Sequence, residues 1–372
     1  MNERLRHFDW ILMAAVTLLL TFSVAVIYAT TFSGSGGAAD AIQQAVFAVV
    51  GIGLVVVFGV SDYRVFRRVA GSLYAAAIGS LLLVKVIGTT ALGATRWINL
   101  GFFQFQPSEF TKIVMVIVLA KIFADHQKTL DTPRTFLTSL AYTIVPMLLV
   151  ASQPDLGTAM VIGATWLGMS IAAGIPKRFF LWIGGLATVT LPIAWFFIFH
   201  DYQKNRILTF VDPARDPLGT GYNVKQAQIA VGSGGMWGST LGQGTQSQLN
   251  FLPVQHTDFI FAVVAEELGF VGALLLIALL VTVAYRALLI ARGAKDFFGY
   301  QLAMGIMIVI LFQTLINAGM NIGIMPVTGI PLPFVSYGGT SVLMLLFAVG
   351  ILQSVASRKE QGRLASTPVL GG

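Results

Sequence analysis

Asp258 sits in Leu252-Pro253-Val254-Gln255-His256-Thr257-Asp258-Phe259-Ile260-Phe261, where a long polar stretch gives way to an apolar run. A carboxylate at such a boundary, partly desolvated and among polar neighbours, has the makings of a general base. The same acid at a helix start is also a good N-cap, and the residues alone leave both roles open. Glu109 and Lys112 stand three apart in Gln106-Pro107-Ser108-Glu109-Phe110-Thr111-Lys112. That spacing puts them on one helix face, where they neutralise each other as a structural ion pair or as the charged floor of a cavity. Asp155, in Ser152-Gln153-Pro154-Asp155-Leu156-Gly157-Thr158, reads first as a cap at a helix N-terminus, within reach of Arg96 or Lys112. Glu266 and Glu267 are adjacent inside an apolar run, which favours a buried hydrogen-bonded network. Lys85 snorkels to an interface and has no assigned role.

These groups need a scaffold, and composition says which kind. The chain has 372 residues, 56% hydrophobic and only 10% charged, against about 25% charged in a soluble domain. So few charges cannot cover a water-soluble globule of this size. Cysteine is absent, so disulfides and thiolate metal sites are excluded. His7, His126, His200 and His256 form no pair at metal-ligand spacing. The net charge of +7 comes from short basic clusters between apolar runs, without a continuous basic face, which argues against nucleic acid.

Ten runs are long enough to cross a bilayer, near 10–30, 41–60, 69–88, 108–124, 136–152, 156–175, 179–199, 259–285, 298–319 and 337–356. The first is longer than a signal-peptide core and reads as an uncleaved span. With the N-terminus cytoplasmic, the cytoplasmic side receives sixteen Lys and Arg (Arg4, Arg6, Arg64, Arg67, Arg68, Lys121, Lys128, Arg134, Lys177, Arg178, Arg286, Arg292, Lys295, Arg358, Lys359, Arg363) and the outer side five (Arg96, Lys204, Arg206, Arg215, Lys225). Positive-inside orientation predicts this asymmetry. The expectation is an all-α, polytopic membrane protein of about ten spans with both termini cytoplasmic. It is one transmembrane domain over 1–372, with a large extracytoplasmic loop at 201–257 able to form short helices on the membrane surface.

Five motifs together resemble the SEDS family of bacterial cell-wall polymerases. They are Gly93-Ala94-Thr95-Arg96-Trp97-Ile98-Asn99-Leu100-Gly101, Phe105 to Lys112, Gln153 to Thr158, His256-Thr257-Asp258-Phe259-Ile260-Phe261-Ala262, and Pro326 to Gly339. The stretch Gln243 to Pro253, with Ile330-Pro331-Leu332-Pro333, is similar to the RodA-type elongation members more than to the FtsW-type division members. Val254 departs from the family, whose members commonly carry Glu after that proline. The resemblance implies a ten-span fold and a glycosyltransferase that polymerises lipid II, an undecaprenyl-pyrophosphate-linked disaccharide pentapeptide serving as donor and acceptor. It makes Asp258 the essential acid, with Arg96, Glu109, Lys112, Asp155, His256 and Ser336 as substrate-binding positions. Arg96 and Lys112 would meet the anionic leaving group, and Asp155 and Glu109 would orient them. No metal cage is readable, so a magnesium or manganese ion would be held by pyrophosphate plus a carboxylate. The implied partners are a class B penicillin-binding protein, other elongation-complex proteins and membrane lipids. The implied place is the bacterial inner membrane, with the site on its outer face. A lipid II flippase and a non-catalytic scaffold of the elongation complex remain the alternatives.

Overall fold

The computed structural model describes residues 7–358 except 32–37, 92–93, 102, 198, 218, 250 and 253. Arg4, Arg6, Gly93, Asn250, Pro253, Lys359 and Arg363 of the motifs and charge pattern lie outside the described residues.

The apolar runs form helices: α1 (Trp10–Thr31), α2 (Ala39–Val60), α3 (Arg64–Ile87), α4 (Pro107–Asp125), α5 (Pro133–Ala151), α6 (Leu156–Ala173), α7 (Lys177–Phe197), α11 (Ile260–Arg292), α12 (Phe297–Asn321) and α13 (Gly339–Ala356). The long loop folds into α8 (Asp201–Val211), α9 (Thr220–Ser233) and the single turn α10 (Thr245–Gln248), as short helices were expected to do. Some helix starts follow capping rules. Pro133 opens α5 behind Thr132, and Asp296 opens α12 by accepting from the Gly299 N–H at 2.8 Å. Gly174, at φ 87°, closes α6 in the left-handed conformation a side chain resists.

Among the described residues, nine of these helices are long and apolar enough to cross a membrane. The tenth expected span, α4, is different in kind. It carries Glu109, Lys112, Lys121 and Asp125 in 19 residues, more charge than lipid tolerates. At about 1.5 Å per residue it is about 28 Å long, and from Pro107 to Ala120 every side chain except Phe110 is buried. It is the axis of the bundle, packed by α3, α6 and α12. At the other extreme, α7 buries none of its residues. It touches the bundle near its start, where Phe179 stacks on Phe136 at 4.9 Å.

One departure from an all-helical chain joins α3 to α4. β1 (Thr89–Ala91), β2 (Ala94–Asn99) and β3 (Gln104–Phe105) make an antiparallel meander with Thr90 opposite Thr95 and Ile98 opposite Phe105. Its threonines, aromatics and isoleucine suit a pleated surface. The end of the bundle that carries this sheet also carries α8–α10 and the start of α11. The opposite end is tied by ion pairs: Arg286 with Asp9 at 2.6 Å, Arg67 with Asp125 at 2.6 Å and Arg64 with Asp296 at 3.0 Å.

Candidate active site

A cavity of about 710 Å³ opens at the sheet end. Its wall includes Arg96 and Trp97 of β2, Glu109 of α4, Arg206 of α8, Asp258, Gly329 and Tyr337. An apolar recess of about 730 Å³ lies between α1 and α2, lined by Leu20, Val24, Ala41 and Ala45 among others. At 100° per residue, Ala41 and Ala45 face away from Gln43 and Phe47, the α2 residues in the polar cavity. The two hollows therefore open on opposite sides of α2, and the chemistry belongs to the polar one.

Asp258 is held from behind. Its backbone carbonyl accepts from the side-chain amides of Asn317 at 3.0 Å and Asn321 at 3.1 Å, both fully buried on α12. Asn317 also donates to the Ile330 carbonyl at 2.8 Å, and the Ser336 hydroxyl donates to the Thr257 carbonyl at 2.6 Å. In front, Gly329 passes the carboxylate at φ 74°, and a Cβ there would stand 3.5 Å from Asp258 Oδ2. Any side chain at 329 would strain the backbone, and its Cβ would come into contact with the acid. Burial pushes the Asp258 carboxyl above the ordinary range, against the pull of Thr257, Arg206 and Arg96.

The cations come from two directions. Arg96 donates through Nε to the Gln153 carbonyl at 3.1 Å and through Nη2 to the Pro154 carbonyl. Arg206 donates to the Thr328 carbonyl at 3.2 Å. Burial and the nearby Arg96 lower the Arg206 pKa, while Tyr202 and Asp258 oppose them. Two guanidinium groups thus face one cavity with the carboxylates of Asp258 and Glu109, and Glu109 is already neutralised by Lys112.

The other expected positions support this wall or lie behind it. Asp155 caps α6, accepting from the Thr158 N–H at 3.1 Å, and takes the Ser108 hydroxyl at 3.0 Å. Lys112 donates to Glu109 at 2.7 Å, with both side chains at most 3% exposed. Glu109 reaches the cavity and Lys112 does not. The His256 carbonyl accepts from the Tyr337 N–H at 2.8 Å. Its Nδ1 meets the Thr30 hydroxyl at 3.1 Å, and that hydroxyl also lies 3.0 Å from the Val26 and Ile27 carbonyls. Burial keeps the ring neutral by lowering its pKa, against Asp40. Ser336 accepts from the Leu332 N–H at 2.8 Å and so fixes the loop.

Sequence reasoning missed Arg206, Asn317 and Asn321 as members of the site. Arg206 counted only as one outer-face charge. The asparagines carried a usable signal, since two amides at i and i+4 near the end of an apolar run must find partners.

Residues 3–361 match the cell cycle protein family model that spans FtsW, RodA and SpoVE. The chain is 39% identical over 356 residues to the peptidoglycan glycosyltransferase MrdB of Escherichia coli (strain K12), covering 95% of each chain. It is 36% identical over 363 residues to the stage V sporulation protein E of Bacillus subtilis (strain 168), covering 94% of this chain and 96% of that one. The fold matches the rod shape determining protein RodA of Thermus thermophilus with a TM-score of 0.69 at 26% identity, covering 95% of this chain and 98% of that one. It matches a chain of a peptidoglycan synthase complex, solved for the coordination of polymerization and crosslinking, with a TM-score of 0.80 at 28% identity, covering 95% of this chain and 99% of that one. A bundle of membrane-length helices, a braced acid in a cavity that two arginines line, and a match along nearly the whole chain lead to one conclusion: this protein belongs to the FtsW/RodA/SpoVE family.

Proposed function

We propose that the chain is a peptidoglycan glycosyltransferase that polymerises lipid II. The observation that carries this reading is the shared cavity of Asp258, Arg96 and Arg206. Asp258 takes the proton of the acceptor sugar hydroxyl as that oxygen attacks the anomeric carbon of the donor. The glycosidic bond forms while the bond from that carbon to the diphosphate oxygen breaks, and the diphosphate leaves with the electron pair. Arg96 and Arg206 meet the charge that develops on it. A carboxyl pushed up by burial is a stronger base once ionised, which suits a hydroxyl proton. Asn317 and Asn321, which hold the Asp258 carbonyl, keep its aim.

Among the described residues no three His, Cys, Asp or Glu come together as a metal cage. Asp155 and Glu109 already spend oxygens on Thr158, Ser108 and Lys112. The donor set does not fit a resident metal, and a divalent cation would enter only with the pyrophosphate.

Positive-inside orientation makes the ion-paired end cytoplasmic, with both termini there. The cavity then opens on the outer face of the bacterial inner membrane. The partner is a class B penicillin-binding protein within an elongation complex. The kinship with a synthase-complex chain supports that pairing.

The test is polymerisation of lipid II by the purified protein, alone and with a cognate penicillin-binding protein whose transpeptidase is blocked. Long strands are expected from wild type, and none from Asp258→Ala of unchanged melting behaviour. Normal strands from Asp258→Asn would end the base assignment. Absence of strands from well-folded wild type with its partner would shift the function to translocation or scaffolding.

A further inference from the structure

The loop before Asp258 is joined to a break in a membrane helix. α11 is interrupted at Gly269, with φ 67° and ψ −167°. The groups freed by the break bind residues 235–240. The Glu266 and Glu267 carbonyls accept from the Ser239 and Thr240 N–H groups at 3.1 and 3.0 Å. The Phe270 and Val271 N–H groups donate to the Gly235 and Met236 carbonyls at 2.9 and 3.2 Å. The contact is backbone on backbone, for a Cβ on Gly238 would lie 2.2 Å from the Glu267 carbonyl oxygen. The buried Glu266 carboxylate fastens the next turn, accepting from the Gln246 and Ser247 N–H groups at 2.7 and 3.1 Å. Residues 235–247 therefore share the depth of residues 266–271.

That depth follows from the helix. Beyond the break, α11 runs as continuous helix from Phe270 to Arg292, about 34 Å at 1.5 Å per residue, against a hydrocarbon core of about 30 Å. The Arg286–Asp9 ion pair marks the far boundary. Counting back from Arg286 to the break at Gly269 covers about 25 Å of that core. The irregular segment thus lies at the outer edge of the hydrocarbon. Non-helical backbone survives there only where the protein satisfies its polar groups, which the break does. Its side chains suit lipid. Met236, Trp237 and Leu241 are exposed, Trp237 at 78%. They continue the exposed apolar surface of Phe270, Leu274 and Leu275 on α11.

We propose that residues 235–249 form a re-entrant wedge seated in the outer leaflet, with Trp237 at the boundary between headgroups and acyl chains. The occupant of this surface is bilayer lipid, because the patch is continuous with the lipid-facing side of a membrane-length helix. The wedge ties the height of Asp258, eight residues before Glu266 in the chain, to the outer edge of the hydrocarbon. A diphosphate anchored by a membrane chain would present itself near that height.

The chain has no cysteine, so single-cysteine variants report cleanly. Spin labels would be placed at Trp237→Cys and Leu241→Cys in the full chain, reconstituted alone in lipid nanodiscs. Leu274→Cys serves as the lipid reference and the exposed Ala214→Cys as the aqueous one. Collision with oxygen and with a water-soluble nickel chelate would be measured. Oxygen access near the Leu274 value, with nickel access several-fold below the Ala214 value, is expected at both positions. Nickel access equal to that at Ala214, or exclusion of both reagents, overturns the wedge. If Trp237→Cys fails to elute as a single species, Leu241→Cys alone gives the reading.

Discussion

The side-chain amide of Asn321 grips both sides of the α11 start: Nδ2 donates to the Asp258 carbonyl at 3.1 Å and Oδ1 accepts from the Ala262 N–H at 3.2 Å. With Asn317, this buried amide on α12 helps set where the acid stands. Asn321→Leu keeps the volume and loses both contacts. A stability loss of about 1–3 kcal/mol is expected from the groups left unpaired. The polymerisation kcat should fall with KM nearly unchanged, because the acid is misplaced while the substrate contacts survive. Thermal melts and initial rates on the same preparation check both effects.

Arg206 is expected to matter for the departing charge. Removing one preorganised donor from a developing anion commonly costs about 10²-fold in kcat, so Arg206→Gln should lose activity on that scale. Arg206→Lys should recover part of it. Inorganic pyrophosphate should inhibit wild type more tightly than Arg206→Gln, as a competition series would show.

Acidity gives a signed expectation. Asp258 in the folded chain holds its proton above its ordinary value of 3.8. Folding therefore binds a proton more tightly than unfolding does between those two values, and stability falls as pH rises through them. Asp258→Asn removes that penalty. At neutral pH the variant should melt higher than wild type while making no strands, and the difference should shrink as pH falls toward 4. Wild-type activity should rise with pH through a midpoint above the usual carboxylate range.

Glu109 and Lys112 separate structure from chemistry. Leaving one buried charge without its partner costs about 3–5 kcal/mol, so Glu109→Gln and Lys112→Met should each destabilise strongly. The double variant should melt near wild type and regain strand synthesis. A stable but inactive double variant would give the pair a role in substrate binding.

The sequence made the membrane class legible because apolar runs of bilayer length have few other uses. The cluster of Arg96, Asp155 and Asp258 at one end was also legible, since charges beside such runs stand out. Arg206 was not. It lies in an amphipathic stretch resembling any surface helix, and only the fold of α8 over the cavity gives it a place. The sheet between α3 and α4 was hidden because β2 spans only six residues. The break at Gly269 was hidden too, as its partners, Gly235 and Met236, lie more than thirty residues upstream in the chain.

α4 and α7 are both membrane-length helices, yet selection reads them differently. Nearly every side chain of α4 meets another protein atom, so almost any exchange there must be matched by a neighbour. Along α7 the neighbour is fluid. Any apolar residue of fair helix propensity solvates equally well, and drift along residues 181–197 should leave no trace in fitness. A saturation library of this chain would show α4 as its most intolerant span and α7 as its most permissive.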